Sequence, residues 1–399
     1  MKLKKYLLFK KQSSKSFARK INVSYVSVSR YISGSRVPAK NIIEKIFRIT
    51  DGLVSANDFL IEEKNENYEF KFNNSEIEEL QSNIKKGSRK FLAKAITLVE
   101  STKLEDQRKS ETLLSKLPKN NNTIRIGITG VPGVGKSTFI ESLGLFLIDI
   151  GLKVSVLAID PSSQKTGGSI LGDKTRMEKL STNNSAFIRP SPSSGHLGGV
   201  AKTTRESMLC VEASGYEIVF IETMGVGQAE TSVYNMVDIF LVLLLPSGGD
   251  DLQGTKKGII ELADLLIVNK ADDNLISAAN ITVNDYMNAL SIIKPIRSNW
   301  RPKVMKCSSI KNQGIREIWE LITNYIKVRK ENNSFLENRS EQNTFWMWEI
   351  IDNKISNFIN NKAKKEDFIR KIETDVYKQE IDPSYGANLI LKNYLKNYN

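Results

Sequence analysis

Between Thr123 and about Lys330, short runs of aliphatic and β-branched residues alternate with longer stretches of helical periodicity. That alternation is what a doubly wound parallel sheet requires. The runs predict strands at Ile124 to Thr129, Lys153 to Asp160, Ala186 to Arg189, Glu217 to Thr223, Asp238 to Leu245, Leu265 to Asn269 and Lys303 to Ser308. The apolar stretch Ile239 to Leu245 fits a central strand covered on both faces. Ahead of this region, Ser75 to Leu117 reads as helical, with Phe91, Leu92, Ala95, Ile96 and Val99 at helical spacing, before Pro118 and three asparagines break the pattern. The tail from about Glu331 is helical again, with Phe345, Trp348, Ile351, Ile355 and Phe358 three and four residues apart. Packing of that stripe on the main domain and self-association are both open readings. The polar stretch 62–74 reads as a linker. The expected organisation is a basic module at 1–61, the linker at 62–74, a helical lead-in at 75–122, an α/β domain at 123–330 and a helical arm at 331–399.

Composition narrows the function classes. At 399 residues and 40% hydrophobic, the chain can bury more than one domain core. No apolar run approaches the roughly 20 residues of a membrane helix, and Leu7-Leu8-Phe9 is too short for a signal-peptide core. The default reading is cytoplasmic with no membrane partner, and a mitochondrial presequence is the competing reading of the basic start. Cys210 and Cys307 sit in apolar runs and read as buried reduced thiols. With His196 the sole histidine, set in a Ser/Gly/Pro loop, a His/Cys metal cluster is excluded. The charge is uneven: residues 1–60 carry 13 Lys/Arg against 3 Asp/Glu, so +10 of the net +13 belongs to one small segment. An anionic partner for that segment follows, with nucleic acid first among the candidates.

The chemistry concentrates after the strands. Gly130-Val131-Pro132-Gly133-Val134-Gly135-Lys136-Ser137, followed by Thr138, joins the first strand to a helix-length apolar segment. This is a phosphate-binding loop: backbone N–H groups cradle phosphate oxygens, Lys136 reaches the β/γ-phosphates and Ser137 ligates Mg²⁺. Asn269-Lys270-Ala271-Asp272 ends a later strand, where a carboxylate can accept from both N1–H and the exocyclic amine of guanine, so the nucleotide is read as GTP or GDP. Ser308 and Ser309 supply a second base-contacting loop. Asp160 and Glu222 end their own strands, and a cation offsets the cost of burying carboxylates at the sheet rim. Asp173 and Asp250 are candidates to order water or metal, each weighed against a solvated-loop role.

Taken together, these segments resemble the MeaB/ArgK family of methylmalonyl-CoA mutase-associated GTPases. The resemblance extends to Asp160-Pro-Ser-Ser, to Gly167 through Met177, to Phe187-Ile-Arg-Pro-Ser-Pro-Ser-Ser-Gly and to Leu197-Gly-Gly-Val-Ala. It continues through Glu222-Thr-Met-Gly-Val-Gly-Gln-Ala-Glu230, Gly249 to Gly258, the lead-in Leu92 to Ser101 and Trp346-Met-Trp348, covering roughly residues 75–399. It implies a P-loop NTPase fold with a mostly parallel doubly wound sheet, flanked by all-α amino- and carboxyl-terminal segments. It also implies a GTP-hydrolysing accessory protein, a metallochaperone that gates cofactor loading and protects an adenosylcobalamin-dependent acyl-CoA mutase. Lys136, Asp173, Glu222 and Asp250 would then serve hydrolysis, and Ser137, Asp160, Asp173 and Glu222 the Mg²⁺ ion. Gln253 and Lys256 would lie on a switch facing the nucleotide or partner, and the tail would form a homodimer arm. The alternatives are a small-molecule kinase of the ArgK type and a GTP-regulated DNA-binding transcription factor. Met224 stands where a small β-branched residue is expected and Ser309 where Ala is usual; neither position is expected to supply chemistry through its side chain.

Residues 1–60 are not ordinarily carried by that family. Phe17 to Pro38 resembles a Cro-type helix-turn-helix: Phe17, Ala18 and Ile21 on a first helix, a turn at Asn22-Val23, and Ser24 capping a second helix with Val28 and Tyr31 inward. Tyr25, Val26, Ser27 and Arg30 would face the groove, with Lys20, Arg36 and Lys40 near phosphates. Tyr25 and Val26 are weak base readers, so a protein-docking module is the competing reading.

Overall fold

The computed structural model describes residues 3–10, 12–33, 36–50, 52–54, 59, 74–118, 120–160, 177–192, 197–223, 229–246, 257–292, 300–363 and 367–395. The chain forms two compact units, Met1–Ser75 and Glu76–Asn399.

In the first unit, α1 (Leu3–Phe9), α2 (Ser14–Ile21), α3 (Tyr25–Ile32) and α4 (Lys40–Ile49) enclose a small core of Leu3, Tyr6, Phe17, Ile21, Val28 and Ile46. A three-residue turn joins α2 to α3. Asn22 closes α2 in the left-handed region (φ 57°), which Asn tolerates better than most residues. Ser24 caps α3 by accepting from the Ser27 N–H at 3.1 Å. Val28 and Tyr31 are buried, while Tyr25, Val26 and Arg30 are exposed. The Ser27 hydroxyl lies 2.9 Å from that of Ser24 and is part of the cap.

Three helices precede the sheet of the second unit: α5 (Asn74–Lys85), whose first two residues fall in the first unit, α6 (Arg89–Glu100) and α7 (Leu104–Lys116). Seven strands follow: β1 (Ile124–Gly130), β2 (Val154–Asp160), β3 (Ala186–Pro192), β4 (Ile218–Glu222), β5 (Ile239–Leu244), β6 (Leu265–Val268) and β7 (Lys303–Lys306). They form one sheet in the order β3-β2-β4-β1-β5-β6-β7, every pairing parallel. Each expected strand is present, with ends shifted by up to three residues. Ser308, expected within the last strand, instead makes an isolated bridge with Gln313. The central strands β1, β4, β5 and β6 are buried on both faces, and β5 and β6 are unbroken apolar runs of the kind such burial favours.

Helices cover both faces of the sheet. The connections introduce α8 (Lys136–Asp149), α9 (Glu178–Thr182), α10 (Leu197–Ala213), α11 (Ala229–Tyr234), α12 (Lys257–Leu262), α13 (Ile276–Ile292) and α14 (Ile315–Glu331). One core joins α6 and α10 to residues such as Leu157, Val219 and Phe240; the other joins α8 and α14 to Ile126, Phe220 and Leu241. Cys210 and Cys307 are buried free thiols. No described helix is long and apolar enough to cross a membrane.

The carboxyl-terminal helices α15 (Ser334–Ala363), α16 (Asp367–Tyr377) and α17 (Pro383–Leu395) complete the chain. Of the apolar stripe, Phe345, Trp348 and Ile355 do not pack on the domain, at 45%, 58% and 53% exposed; Ile351 is half-buried and the Phe358 side chain lies outside the described residues. Phe335, Arg339, Gln342 and Trp346, at 4-3-4 spacing, are buried instead. Arg339 grips Asp238 with Nε to Oδ1 at 2.9 Å and Nη2 to Oδ2 at 2.7 Å, and donates to the Thr123 carbonyl at 2.6 Å. Gln342 donates to the Val237 carbonyl at 2.8 Å. The Arg205 guanidinium of α10 stacks 4.6 Å from the Trp346 ring. The arm is therefore anchored by a mixed aromatic and polar face, with Arg339 and Gln342 bonded at the amino end of the strands.

Candidate functional site

The opposite, carboxyl end of the sheet gathers the predicted nucleotide residues. β1 pairs with β4 on one side and β5 on the other, so chain connections diverge there, the place where open α/β sheets bind ligands. β1 ends at Gly130 (φ 150°), where an added Cβ would lie 2.5 Å from the Leu243 carbonyl of β5. Val134 plugs the loop into the core. Gly135 (φ 92°) precedes α8, which has no side-chain cap, and an added Cβ there would lie 2.8 Å from Asn269 Nδ2. A first turn of N–H groups without a side-chain cap is a ready anion site. Lys136 Nζ donates to the Gly130 carbonyl at 2.8 Å and the Val131 carbonyl at 3.3 Å, arching over the loop.

Ser137, in the first turn of α8, donates to Glu222 Oε1 at 3.1 Å from the end of β4. Behind them the Thr223 hydroxyl donates to that of Thr129 at 2.7 Å, joining the strand ends of β1 and β4. Ala158 of β2 is level with Glu222, so Asp160 falls two residues further along at the strand end. A hydroxyl and carboxylates are hard oxygen donors and suit Mg²⁺ rather than a soft transition metal. Among the described residues no three or more His, Cys, Asp or Glu form a metal-holding group. Asp173, Asp250, Gln253 and Lys256 lie outside the described residues.

The base-side loops meet beyond β6 and β7. Lys270 has a positive φ of 60°, and the Ala271 N–H donates to the Cys307 carbonyl at 2.9 Å, clamping one loop on the other. The Ser308 hydroxyl donates to the Asp272 carboxylate, and Lys311 pairs with Asp273. Asn269 is buried, its Nδ2 donating to the Val134 carbonyl at 2.9 Å. Its Oδ1 accepts from the Ser309 hydroxyl at 2.7 Å and the Ser309 N–H at 3.2 Å. The Cys307 thiol lies 3.4 Å from the same oxygen, and burial pushes it up to about 12, so it stays protonated. Ser309 thus has a side-chain role, against the sequence expectation; its departure from Ala was the signal. The Thr129–Thr223 link was also missed, because nothing in the spacing of the two residues, 94 apart, pairs their hydroxyls.

Residues 92–364 match the family model "Methylmalonyl Co-A mutase-associated GTPase MeaB". A Caulobacter vibrioides protein named as a GTPase is 48% identical over 317 residues, covering 79% of this chain and 97% of its own. GTPase ArgK of Escherichia coli K12 is 45% identical, covering 75% and 89%. The mouse protein named methylmalonic aciduria type A homolog, mitochondrial, is 41% identical, covering 79% of each. Among solved structures, that of a LAO/AO transport system kinase superposes with a TM-score of 0.65 at 35% identity, over 80% of this chain and 98% of that one. The phosphate loop, the guanine-type loop and a match spanning most of the second unit together make this chain a GTPase of the methylmalonyl-CoA mutase-associated MeaB family.

Proposed function

We propose that this GTPase is an accessory protein of an adenosylcobalamin-dependent acyl-CoA mutase, its nucleotide state gating cofactor loading and protecting the mutase. The observation that carries this reading is the family match through segments between the nucleotide motifs, where a generic GTPase has no reason to agree. In this reading Lys136 and the α8 N–H groups hold the phosphates and Asn269, Lys270 and Asp272 read guanine. Ser137 and Glu222, with Asp160 and Asp173, hold Mg²⁺. When bound, the ion neutralises phosphate charge. Asp250, Gln253 and Lys256 serve the switch toward the mutase. The exposed Phe345, Trp348 and Ile355 of α15 form a homodimer surface, since apolar groups this large are rarely left in water together.

The test is co-purification of the full chain with such a mutase in GTP, in GDP and without nucleotide. Binding that changes with nucleotide is expected, and no binding in any state overturns the reading. Transfer of labelled γ-phosphate to a small basic substrate rather than to water would favour the kinase alternative, the activity for which the similar LAO/AO transport system kinase is named.

A second reading concerns residues 1–75, which lie outside the family match. The net charge of +10 over residues 1–60 and the exposed outer face of α3, with Tyr25, Val26 and Arg30, support contact with duplex DNA; Arg36 and Lys40 suit its phosphates. Fluorescence anisotropy with a mixed-sequence duplex should give binding that weakens steeply with salt. Binding unaltered by Arg30→Ala and Arg36→Ala together would remove this face from consideration.

A further inference from the structure

Asn269 is 1% exposed and satisfies its amide at both ends, so its orientation is settled by its neighbours. Every group around Oδ1 is a donor, and the group facing Nδ2 is the Val134 carbonyl of the phosphate loop. A flipped amide would set its NH₂ against the Ser309 N–H and its oxygen against a carbonyl. The three donors are unequal. The thiol is a weak donor at 3.4 Å and the backbone N–H is at 3.2 Å, whereas the Ser309 hydroxyl is at 2.7 Å. Because Gly135 has no Cβ, Nδ2 can come close enough to reach the loop between β1 and α8. One hydroxyl therefore stands behind a chain that runs from the β7 loop through Asn269 to the phosphate loop.

We propose that Ser309 is a positioning residue for nucleotide retention: its hydroxyl holds the Asn269 amide so that the guanine-side loop and the phosphate loop stay tied together. The inference rests on reading Asn269 as a base-side residue of the nucleotide site. An alanine here keeps the backbone donor and removes the shortest one, so the nucleotide leaves faster without any change in which base is chosen. Base choice belongs to Asp272, which Ser308 braces separately.

Dissociation of a fluorescent GDP analogue, chased with excess GDP, is measured on the full chain for wild type, Ser309→Ala, Asn269→Ala and the double variant. Ser309→Ala should speed release on the order of fivefold, the effect of one buried neutral hydrogen bond. The same factor should hold for the inosine analogue, which lacks only the amine facing Asp272. In the Asn269→Ala background, already fast, Ser309→Ala should add nothing. Release unchanged by Ser309→Ala overturns the proposal, as does equal acceleration with and without Asn269. A fall in the melting temperature of the nucleotide-free protein with release unchanged would assign Ser309 to fold stability alone and overturn it. If Asn269→Ala itself leaves release unchanged, the base-side reading fails with it; if only Ser309→Ala is silent, that reading stands and this inference alone falls.

Discussion

Replacing Arg339 by Met should loosen the carboxyl-terminal arm while sparing the nucleotide site. The side chains of Arg339 and Asp238 are 7% and 1% exposed, so their two-pronged contact is shielded from water and salt. Met keeps most of the apolar stem but removes four hydrogen bonds: two to the Asp238 carboxylate and one each to the Thr123 and Asn120 carbonyls. The carboxylate would keep the Arg125 N–H, which donates to Oδ2 at 2.8 Å, but would lose its facing cation. Breaking a buried pair from one side costs about 3 to 5 kcal/mol, whereas neutralising both partners costs far less. Urea unfolding should therefore show Arg339→Met as much less stable than wild type. Adding Asp238→Asn should recover part of the loss, giving a clear interaction term in the cycle. Limited proteolysis should cut the variant within α15 first. GTP hydrolysis, measured where the variant is still folded, should be unchanged because the pair sits at the amino end of the strands. A loss under about 1 kcal/mol, or a double variant as weak as the sum of the singles, would refute the anchoring role.

Four further outcomes follow from the same geometry. Phe345→Ser with Trp348→Ser should leave the melting temperature near that of wild type, because both side chains are exposed, yet shift sedimentation toward a monomer; an unchanged oligomeric state removes α15 as the dimer surface. Burial pushes the Cys210 and Cys307 thiols from 9.0 up to about 12, so alkylation at pH 8 should proceed only as fast as the protein opens. Because the folded state keeps these protons longer than the unfolded one, stability should be flat with respect to them below pH 9 and fall as pH rises from about 9 to about 12, as a pH series of urea midpoints would record. Gly130→Ala should destabilise by about 1 to 3 kcal/mol, since its Cβ would press on the Leu243 carbonyl 2.5 Å away; a neutral effect would mean that the β1–β5 pairing yields more easily than its register suggests.

The central strands were legible because each is a short, largely apolar run between turn residues, buried on both faces, whereas the edge strand β7 shows only Val304 and Met305 between two lysines. The phosphate loop and Asn269 to Asp272 were legible because their chemistry demands fixed residue types at fixed spacing. Strand ends were not, since a ladder stops where backbone geometry, not side-chain character, changes: Cys307 and Ser308 look like strand yet turn into the loop that closes on Ala271.

The arm shows the deeper reason for what stayed hidden. Read by hydrophobicity alone, α15 offers Phe345, Trp348 and Ile355 as its inward face, because apolar residues at helical spacing usually mark burial. The face that is buried carries an arginine and a glutamine between its two aromatics, and the Arg339 guanidinium and the Gln342 amide N–H find acceptors at the amino ends of β1 and β5. Burying donors such as these requires acceptors to meet them, and those come from residues more than 100 positions away, such as Asp238 and Val237. Ser309 is the same case on a smaller scale. Its hydroxyl gains a role only because the fold sets it against Asn269, 40 residues earlier. Local periodicity reports what a segment would do alone, whereas polar pairing across the fold decides which of two faces goes inside and which single hydroxyl matters at the site.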